Sequence, residues 1–254
     1  MPLLRTRAVI IRSQRWGDAD RIVTLYSPDL GKIRGAARGA RRMKTRFGGV
    51  LELFGIVDVT LFQKTPDALG QISQIDLVKN FKAVREDLGV MAAAAKMVRM
   101  VEMITADRDP NPEMYSALVY GLESLLPDRD LALATLLFQI HVLSYTGFRP
   151  QIDRCTECGN MASSKMSQWF SPRLGGMVCN GCGQEGVGRL LSISKGSLAF
   201  IEQARRLPMA SLSRLKAIGT VRIEVEEAIE AYFQAVVGKA LPTFEQWVSK
   251  DAHS

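Results

Sequence analysis

The sequence is poor in the features that mark membrane proteins and acid–base enzymes. Its 254 residues include only two histidines, His141 and His253, and no apolar run of about eighteen residues, the length of a bilayer-spanning helix. The most apolar stretch, residues 131–145, is too short and contains a glutamine and a histidine. We therefore expect no transmembrane segment. The position of His141 within this stretch favours a buried histidine over a catalytic base.

Clusters of acidic residues are also scarce. A two-metal nuclease needs several carboxylates in one place. Asp18 and Asp20 are close in sequence, but Glu52 and Asp58 are the only acids in the next strand region. Asp18 and Asp20 follow a glycine and are typical of a turn. The sequence therefore predicts a protein that is not an enzyme.

Cysteine occurs four times, and all four residues belong to two C-x-x-C pairs separated by twenty residues. This spacing predicts a Cys₄ structural zinc site, because each tight turn presents two thiolates to one metal. The predicted ligands are Cys155, Cys158, Cys179 and Cys182. Gly159 and Gly183 follow the second cysteine of each pair, and we expect both to adopt the positive φ that such a turn needs.

Two other interpretations of the cysteines are possible. Disulfides would require an oxidising compartment, yet Arg5 and Arg7 stand near the amino terminus where a secretory signal would be apolar. Reduced, metal-free cysteines are the second alternative. Four thiolate ligands leave no open coordination position, so the predicted zinc is structural. Residues 168–171 and 176–179, between the pairs, are expected to form a short hairpin.

Positive charge is confined to the first third of the chain. The net charge is +7, and residues 1–80 contain 14 Lys and Arg against 7 Asp and Glu. Residues 81–254 contain 19 of each class. This asymmetry indicates a polyanionic partner for the first segment and a domain boundary near residue 80.

The two segments also differ in their hydrophobic pattern. Residues 1–80 contain five strand-like stretches separated by turn residues, which predicts a small closed barrel. An OB-fold is the leading candidate, and an SH3-like barrel is the alternative. The predicted strands are 6–12, 21–26, 32–37, 50–63 with a bulge at Gly55, and 72–78. Residues 81–254 predict an α-helical domain with a zinc-binding insert at about 150–190. Its predicted helices are 81–105, 112–126, 131–146, 194–206, 213–218 and 222–237, with Asp128 or Asp130 capping the third.

Seven cations follow one another between residues 32 and 46 with no acidic residue among them. Small residues between them allow a polyanion to approach the backbone closely, and neutralised phosphates release condensed counterions. The predicted DNA-binding residues are Lys32, Arg34, Arg38, Arg41, Arg42, Lys44 and Arg46. A solvated loop without a ligand is the alternative. Phe47 follows this segment, and a core position is favoured over base stacking.

These residues resemble a known family. Residues 17–26 (GDADRIVTLY), Gly31-Lys32, residues 37–46 (ARGARRMKTR) and Leu53-Phe54 are similar to the start of the RecO family of bacterial DNA repair proteins. Later motifs agree in order: Gly147-Phe-Arg-Pro150 and the C-x-x-C pairs with Gly175-Gly176 between them. The resemblance covers most of the chain. Thr45 stands where the family pattern leads us to expect serine, and the hydroxyl is retained.

The resemblance implies a function. RecO proteins have an amino-terminal OB-fold and a helical domain with a zinc loop, and some members lack the cysteines, so the metal supports the fold. The family binds single- and double-stranded DNA, anneals complementary strands, and with RecR helps place RecA on DNA coated by the single-strand binding protein SSB. We therefore expect a cytoplasmic, nucleoid-associated recombination mediator. An RNA-binding or transcription-associated OB-fold and zinc-ribbon protein is the alternative.

The resemblance also implies contact with the acidic, hydrophobic tail of SSB. Such a tail needs an apolar pocket with a basic rim. One segment combines apolar residues with cations, and its candidate partner-binding residues are Arg205, Arg206, Arg214 and Lys216. An ordinary helix end with solvated charges is the alternative.

Overall fold

The computed structural model describes residues 3–45, 47–65, 68–161, 168–183, 188–242 and 246. These residues form two compact units: the first comprises the described residues up to Asp128 together with those from Pro242 onwards, and the second is Arg129–Leu241. Among the helices described, none combines the length and apolar character needed to cross a bilayer.

The first unit contains a closed barrel of five strands, in the order β1-β2-β3-β5-β4. The strands are β1 Leu3–Trp16, β2 Asp20–Ser27, β3 Gly31–Ala37, β4 Ile56–Phe62 and β5 Gly70–Lys79. β1 pairs antiparallel with both β2 and β4, and a short parallel pairing of β3 with β5 closes the barrel. The interior is filled by alternating aliphatic side chains. This arrangement confirms the predicted OB-like barrel.

The fourth strand is shorter than the sequence predicted. β4 begins at Ile56, because Phe47 and Leu51 turn inward to join the barrel core instead of continuing a strand. Phe54 has a φ of 72°, which breaks the extended conformation just before the strand. The predicted bulge at Gly55 is therefore wrong. Register shifts occur between Ile10 and Arg12 in the pairing of β1 with β2, and at Ile56/Val57 and Thr60/Leu61 in the pairing of β4 with β5.

Three helices complete the first unit: α1 Lys82–Glu86, α2 Leu88–Ile104 and α3 Pro112–Ser124. The sequence predicted a single helix over 81–105, but Asp87 is extended, and its side chain caps α2 by accepting a hydrogen bond from Val90 N at 2.8 Å. After α2, Asp107 forms a parallel bridge with Lys32 of β3. Strands give way to helices near residue 80, while the compact unit continues to Asp128, so the predicted boundary remains a prediction.

The second unit combines three helices with a small sheet of order β7-β6-β8. Its elements are α4 Leu131–Tyr145, β6 Gln168–Ser171, β7 Gly176–Cys179, β8 Leu191–Ile193, α5 Lys195–Arg206, the 3₁₀ helix Met209–Arg214 and α6 Gly219–Val237. The predicted hairpin is confirmed as β6 and β7. α4 is buried on nearly all sides, as its sequence indicated, and Asp130 caps it. The short helix predicted at 213–218 is wrong, because the helical turn lies earlier.

Candidate nucleic-acid interface and metal centre

Residues 38–45, which we call the basic loop, run between two buried anchors. Ala37 at the end of β3 is fully buried, and the Phe47 side chain is only 1% exposed within the barrel core. This confirms the core position predicted for Phe47. The Thr45 hydroxyl accepts a hydrogen bond from Phe47 N at 3.2 Å, so the departure from serine keeps a local contact. The basic loop is therefore held at both ends, and Ala40 within it packs against the barrel core.

The basic loop is also fixed to the turn between β1 and β2. The Asp20 carboxylate accepts a hydrogen bond from Gly39 N at 2.7 Å, and Arg41 N donates to the carbonyl oxygen of Ala19 at 2.9 Å. Gly39 has a φ of 71°, a conformation that glycine adopts without strain. The predicted turn role of Asp20 is thus extended to the basic loop. These contacts restrict the loop before any ligand binds, which lowers the ordering cost of binding.

Four of the predicted DNA-binding residues lie exposed on the basic loop, and none forms an ion pair with a carboxylate in the described part of the chain. They are Arg38, Arg41, Arg42 and Lys44. The Arg41 guanidinium also donates to the carbonyl oxygen of Gly17 at 3.4 Å, which brings it to the β1–β2 turn. Arg46 lies outside the described residues. The basic loop thus presents fixed, solvent-facing positive charge.

Lys32 and Arg34 occupy a different environment. The Lys32 side chain is 13% exposed, and its Nζ donates to the carbonyl oxygens of Glu102 at 2.9 Å and Thr105 at 2.6 Å, at the carboxyl end of α2. Arg34 pairs with Asp107 at 2.7 Å, and Lys32 Nζ lies 3.3 Å from the same carboxylate. Burial alone would raise the pKa of Asp107. Arg34 and Lys32 outweigh this effect, so the pKa of Asp107 lies below its ordinary value. Lys32 therefore stabilises the helix end, and Arg34 forms an ion pair with Asp107 at the surface, where both side chains are about half exposed.

Trp16 was not identified as a functional residue from the sequence. It is the last residue of β1, pairs with Asp20 across the hairpin, and is 45% exposed. Its neighbour Arg15 is also exposed. From the sequence alone, Trp16 is simply an aromatic residue beside a turn. The Asp20–Gly39 and Ala19–Arg41 contacts, which connect this turn to the basic loop, are tertiary and could not be predicted.

The four cysteines converge on one point in the second unit. Their Sγ atoms all lie within 4.8 Å of one another, and Cys158 Sγ lies 3.7 Å from Cys179 Sγ. A tetrahedral zinc site with bonds of about 2.3 Å places its sulfur atoms about 3.8 Å apart. The cluster therefore has the donor set and the spacing of a Cys₄ metal centre.

Backbone amides surround the four cysteines, which we call the cysteine cluster. Burial raises the pKa of Cys155, but the amides of Cys158, Cys179 and Glu157 stabilise its thiolate and lower that pKa to about 6. Hydrogen bonding with Cys179 and Cys158 raises the pKa of Cys182 to about 12. Neighbouring thiols thus compete for negative charge, which a divalent cation would neutralise.

The two glycines that follow the C-x-x-C pairs have different roles. Gly159 has a φ of 73°, as expected after the first C-x-x-C pair. The prediction for Gly183 is wrong, because it is not among the described glycines with positive φ. A Cβ at Gly183 would lie 3.0 Å from Cδ1 of Trp169, so this glycine permits close packing of the second turn.

The candidate partner-binding residues are not equivalent. Arg205 is 8% exposed in its side chain and pairs with Glu202, which also pairs with Arg206. Leu212 and Leu215 are buried, so they do not line an open pocket. The residues that remain exposed are Arg206, Arg214 and Lys216.

A pocket of about 280 Å³ lies elsewhere in the second unit. It is lined by Arg173, Arg189 and Gln234 together with Pro172, Ala231 and Ala235. Arg189 pairs with Glu227 at 2.9 Å, although both side chains are more than half exposed. The combination of two guanidinium groups with an apolar lining suits a peptide that is both acidic and hydrophobic.

His141 is 2% exposed within α4, and burial lowers its pKa. The buried position expected from the sequence is confirmed, but within the described residues neither ring nitrogen has a hydrogen-bond partner of good geometry.

Family models match both parts of the chain. The model described as Recombination protein O N terminal matches residues 1–81, and that described as Recombination protein O C terminal matches residues 85–244. The chain belongs to the RecO family of DNA repair proteins. The barrel lies in the region matched by the RecO amino-terminal model, and the cysteine cluster lies in the region matched by the carboxy-terminal model.

Three relatives named DNA repair protein RecO align over nearly their whole length. The Symbiobacterium thermophilum protein is 33% identical over 250 residues, which cover 96% of each chain. The Dehalococcoides mccartyi protein is 30% identical over 92% of this chain and 91% of its own. The Anaeromyxobacter dehalogenans protein is 30% identical over 95% of this chain and 94% of its own.

Proposed function

We propose that this chain is a non-enzymatic recombination mediator that binds DNA through the basic loop and the adjacent β1–β2 turn. Binding is driven by phosphate contacts, so the site accepts single- and double-stranded DNA. Neutralised backbones approach each other more readily, which promotes annealing of complementary strands. With RecR, the protein helps load RecA onto SSB-coated DNA in the cytoplasm, at the nucleoid.

The observation that carries this proposal is the solvent-facing charge of the basic loop. Arg38, Arg41, Arg42 and Lys44 are held between buried anchors without a described carboxylate partner. The loop after β1 is part of the surface that OB-folds use for oligonucleotides. Arg34 contributes through its exposed guanidinium, while Lys32 supports the protein beneath. Family membership supports a role in DNA repair.

We also propose that the metal is zinc and that its role is structural. Thiolate ligands favour Zn²⁺ among the common divalent cations of proteins, and a Cys₄ set leaves no position for substrate. The four cysteines would hold the ion and fix the two C-x-x-C turns against each other.

Charge-matched variants test the DNA interface. Replacing Arg38, Arg41 and Arg42 with alanine should weaken DNA binding by more than about tenfold in ~0.1 M salt, and the slope of log K against log salt should fall by about 2 to 3. The control variant R206A/R214A/K216A removes the same charge from the second unit. Unchanged DNA binding in the basic-loop variant, or an equal loss in the control, would refute the proposal.

Further binding assays with these variants, and with R173A/R189A, test the remaining parts of the proposed function. A peptide with the acidic, hydrophobic character of the SSB tail should bind the basic-loop variant normally. Loss of peptide binding in R206A/R214A/K216A would locate the peptide site at the end of α5, while loss in R173A/R189A would locate it at the pocket.

RNA competing as well as DNA of the same sequence would favour the RNA-binding alternative. Cleavage of labelled DNA with Mg²⁺ would refute a non-enzymatic role.

A further inference from the structure

Trp16 lies at the edge of the proposed DNA site with almost half of its surface open to solvent. Its side chain is 45% exposed at the end of β1. Large aromatic side chains contribute strongly to folding when buried, so an exposed indole on a barrel rim is informative.

Three contacts connect the end of β1, which carries Trp16, to the basic loop. Trp16 pairs with Asp20 in the last step of the hairpin, and Asp20 accepts the hydrogen bond from Gly39. The residue that follows Trp16 is Gly17, whose carbonyl oxygen accepts a hydrogen bond from the Arg41 guanidinium at 3.4 Å. The basic loop and the aromatic ring therefore belong to one surface.

We propose that Trp16 is a stacking platform for an unpaired nucleobase, so that this surface binds single strands more tightly than duplex. The inference rests on the proposed function and specifies its substrate class. Single-strand sites combine cations that follow the backbone with aromatic rings that stack on bases. Bases in a duplex are already stacked and paired, so they reach the ring only after unpairing at additional cost.

The inference assigns different effects to the ring and to the cations. Cations of the basic loop contact phosphates, which both forms of DNA carry. The indole contacts a base, which only the unpaired form exposes. Removing the ring should therefore lower single-strand affinity alone and leave the salt dependence unchanged, since no phosphate contact is lost.

The experiment compares three substitutions at Trp16 by titration with a dT oligonucleotide and a duplex of mixed sequence. W16A should weaken dT binding by about 5- to 100-fold, the range for loss of one stacked base. W16F should recover most of this affinity, and W16L, which is apolar but has no ring, should not. Duplex binding should stay within about twofold. M43A provides a control, because Met43 is a fully exposed apolar residue of the basic loop and has no aromatic ring.

Fluorescence gives an independent measurement. The chain contains Trp16, Trp169 and Trp247, so a W169F/W247F variant leaves Trp16 as the reporter. Stacking on thymine should quench its emission as dT is added, and duplex should quench it much less.

Two outcomes separate this inference from the function on which it rests. If R38A/R41A/R42A loses DNA binding while W16A and W16L bind dT normally, the stacking inference is overturned and the interface remains. If the arginine variant binds normally while W16A loses dT binding, the proposed phosphate contacts are wrong and the stacking inference remains. Equal losses of single-strand and duplex affinity in W16A also overturn it.

Discussion

The Asp20 carboxylate accepts a hydrogen bond from the Gly39 amide, with an Oδ1–N distance of 2.7 Å. An acidic residue thus lies inside a cationic surface and organises it. The bond joins the start of β2 to the loop that follows β3, which are far apart in sequence. The positions of the exposed arginines depend on this connection.

Replacing Asp20 with alanine should weaken DNA binding by about three- to tenfold, because the basic loop loses a charge-assisted hydrogen bond and must be ordered by the ligand. The direction is informative, since removal of a negative charge alone would strengthen binding. D18A removes the same charge from the exposed part of the turn and should bind DNA equally well or better. Fluorescence anisotropy with labelled DNA measures both variants, and parallel changes would contradict the anchoring role.

Replacing Lys32 with methionine should destabilise the first unit by about 2 kcal/mol or more, because two carbonyl oxygens at the end of α2 lose their donor and Asp107 loses a cation. R38M, also a loss of one cation, should change the free energy of unfolding by less than about 0.5 kcal/mol. Urea unfolding followed by circular dichroism measures the difference. Equal stability of the two variants, with DNA binding lost in K32M, would assign Lys32 to the interface instead.

Asp130 should make the stability of the second unit depend on pH. Hydrogen bonding with Arg222 is the main cause that lowers the pKa of Asp130 to about 2, and the amide of Leu133 contributes. A lowered folded-state pKa stabilises the fold above the ordinary value of about 3.9, and this contribution is lost as the pH falls towards 2. Because the Asp130 side chain is 48% exposed, we expect no more than about 1 kcal/mol.

The variant D130N isolates this effect, since asparagine still caps α4 but cannot pair with Arg222. The difference in the free energy of unfolding between wild type and D130N should be constant from pH 7 to about 4.5 and should decrease below that. A difference that persists unchanged to pH 2 would exclude the ion pair as its source.

Removing the metal should destabilise the second unit and leave DNA binding by the barrel intact. We expect one zinc ion per chain by elemental analysis, and C158S or treatment with a strong chelator should lower Tm by more than about 5 °C. Restoring zinc should restore the Tm of the chelated wild type but not of C158S. DNA affinity should remain within about twofold. A protein whose Tm is insensitive to zinc would show that the cysteine cluster does not need metal to fold.

Local sequence patterns predicted much of the fold. Alternation of apolar residues located all five barrel strands, and the hairpin of β6 and β7 matched to the residue. β8 was missed, because Leu191–Ile193 is too short to show a pattern and is a strand only through its pairing with β6. The fourth barrel strand was predicted too long, because the inward turn of Leu51 is set by packing in the barrel core and not by its neighbours in sequence.

The candidate site could be located from sequence but not divided into roles. Charge counting treated Lys32 and Arg41 alike, although one binds carbonyl oxygens of α2 and the other faces solvent. Their difference arises from the end of α2, which lies about seventy residues beyond Lys32 in the chain. The role proposed for Trp16 was hidden for the same reason, since only tertiary contacts connect the basic loop to the β1–β2 turn.

The double pairing of β1 has a consequence for biosynthesis. β1 is bordered by β2 on one side and by β4 on the other, and β5, which bridges β3 and β4, ends only at Lys79. The nascent chain therefore exposes one side of its first strand until β4 has been translated to Phe62, and the barrel cannot close until β5 has been translated to Lys79, some eighty residues into the chain. Such non-local pairing slows folding and leaves an unpaired edge in the meantime. We expect ribosome-bound intermediates shorter than this to require chaperones, and deletions that remove β5 to aggregate.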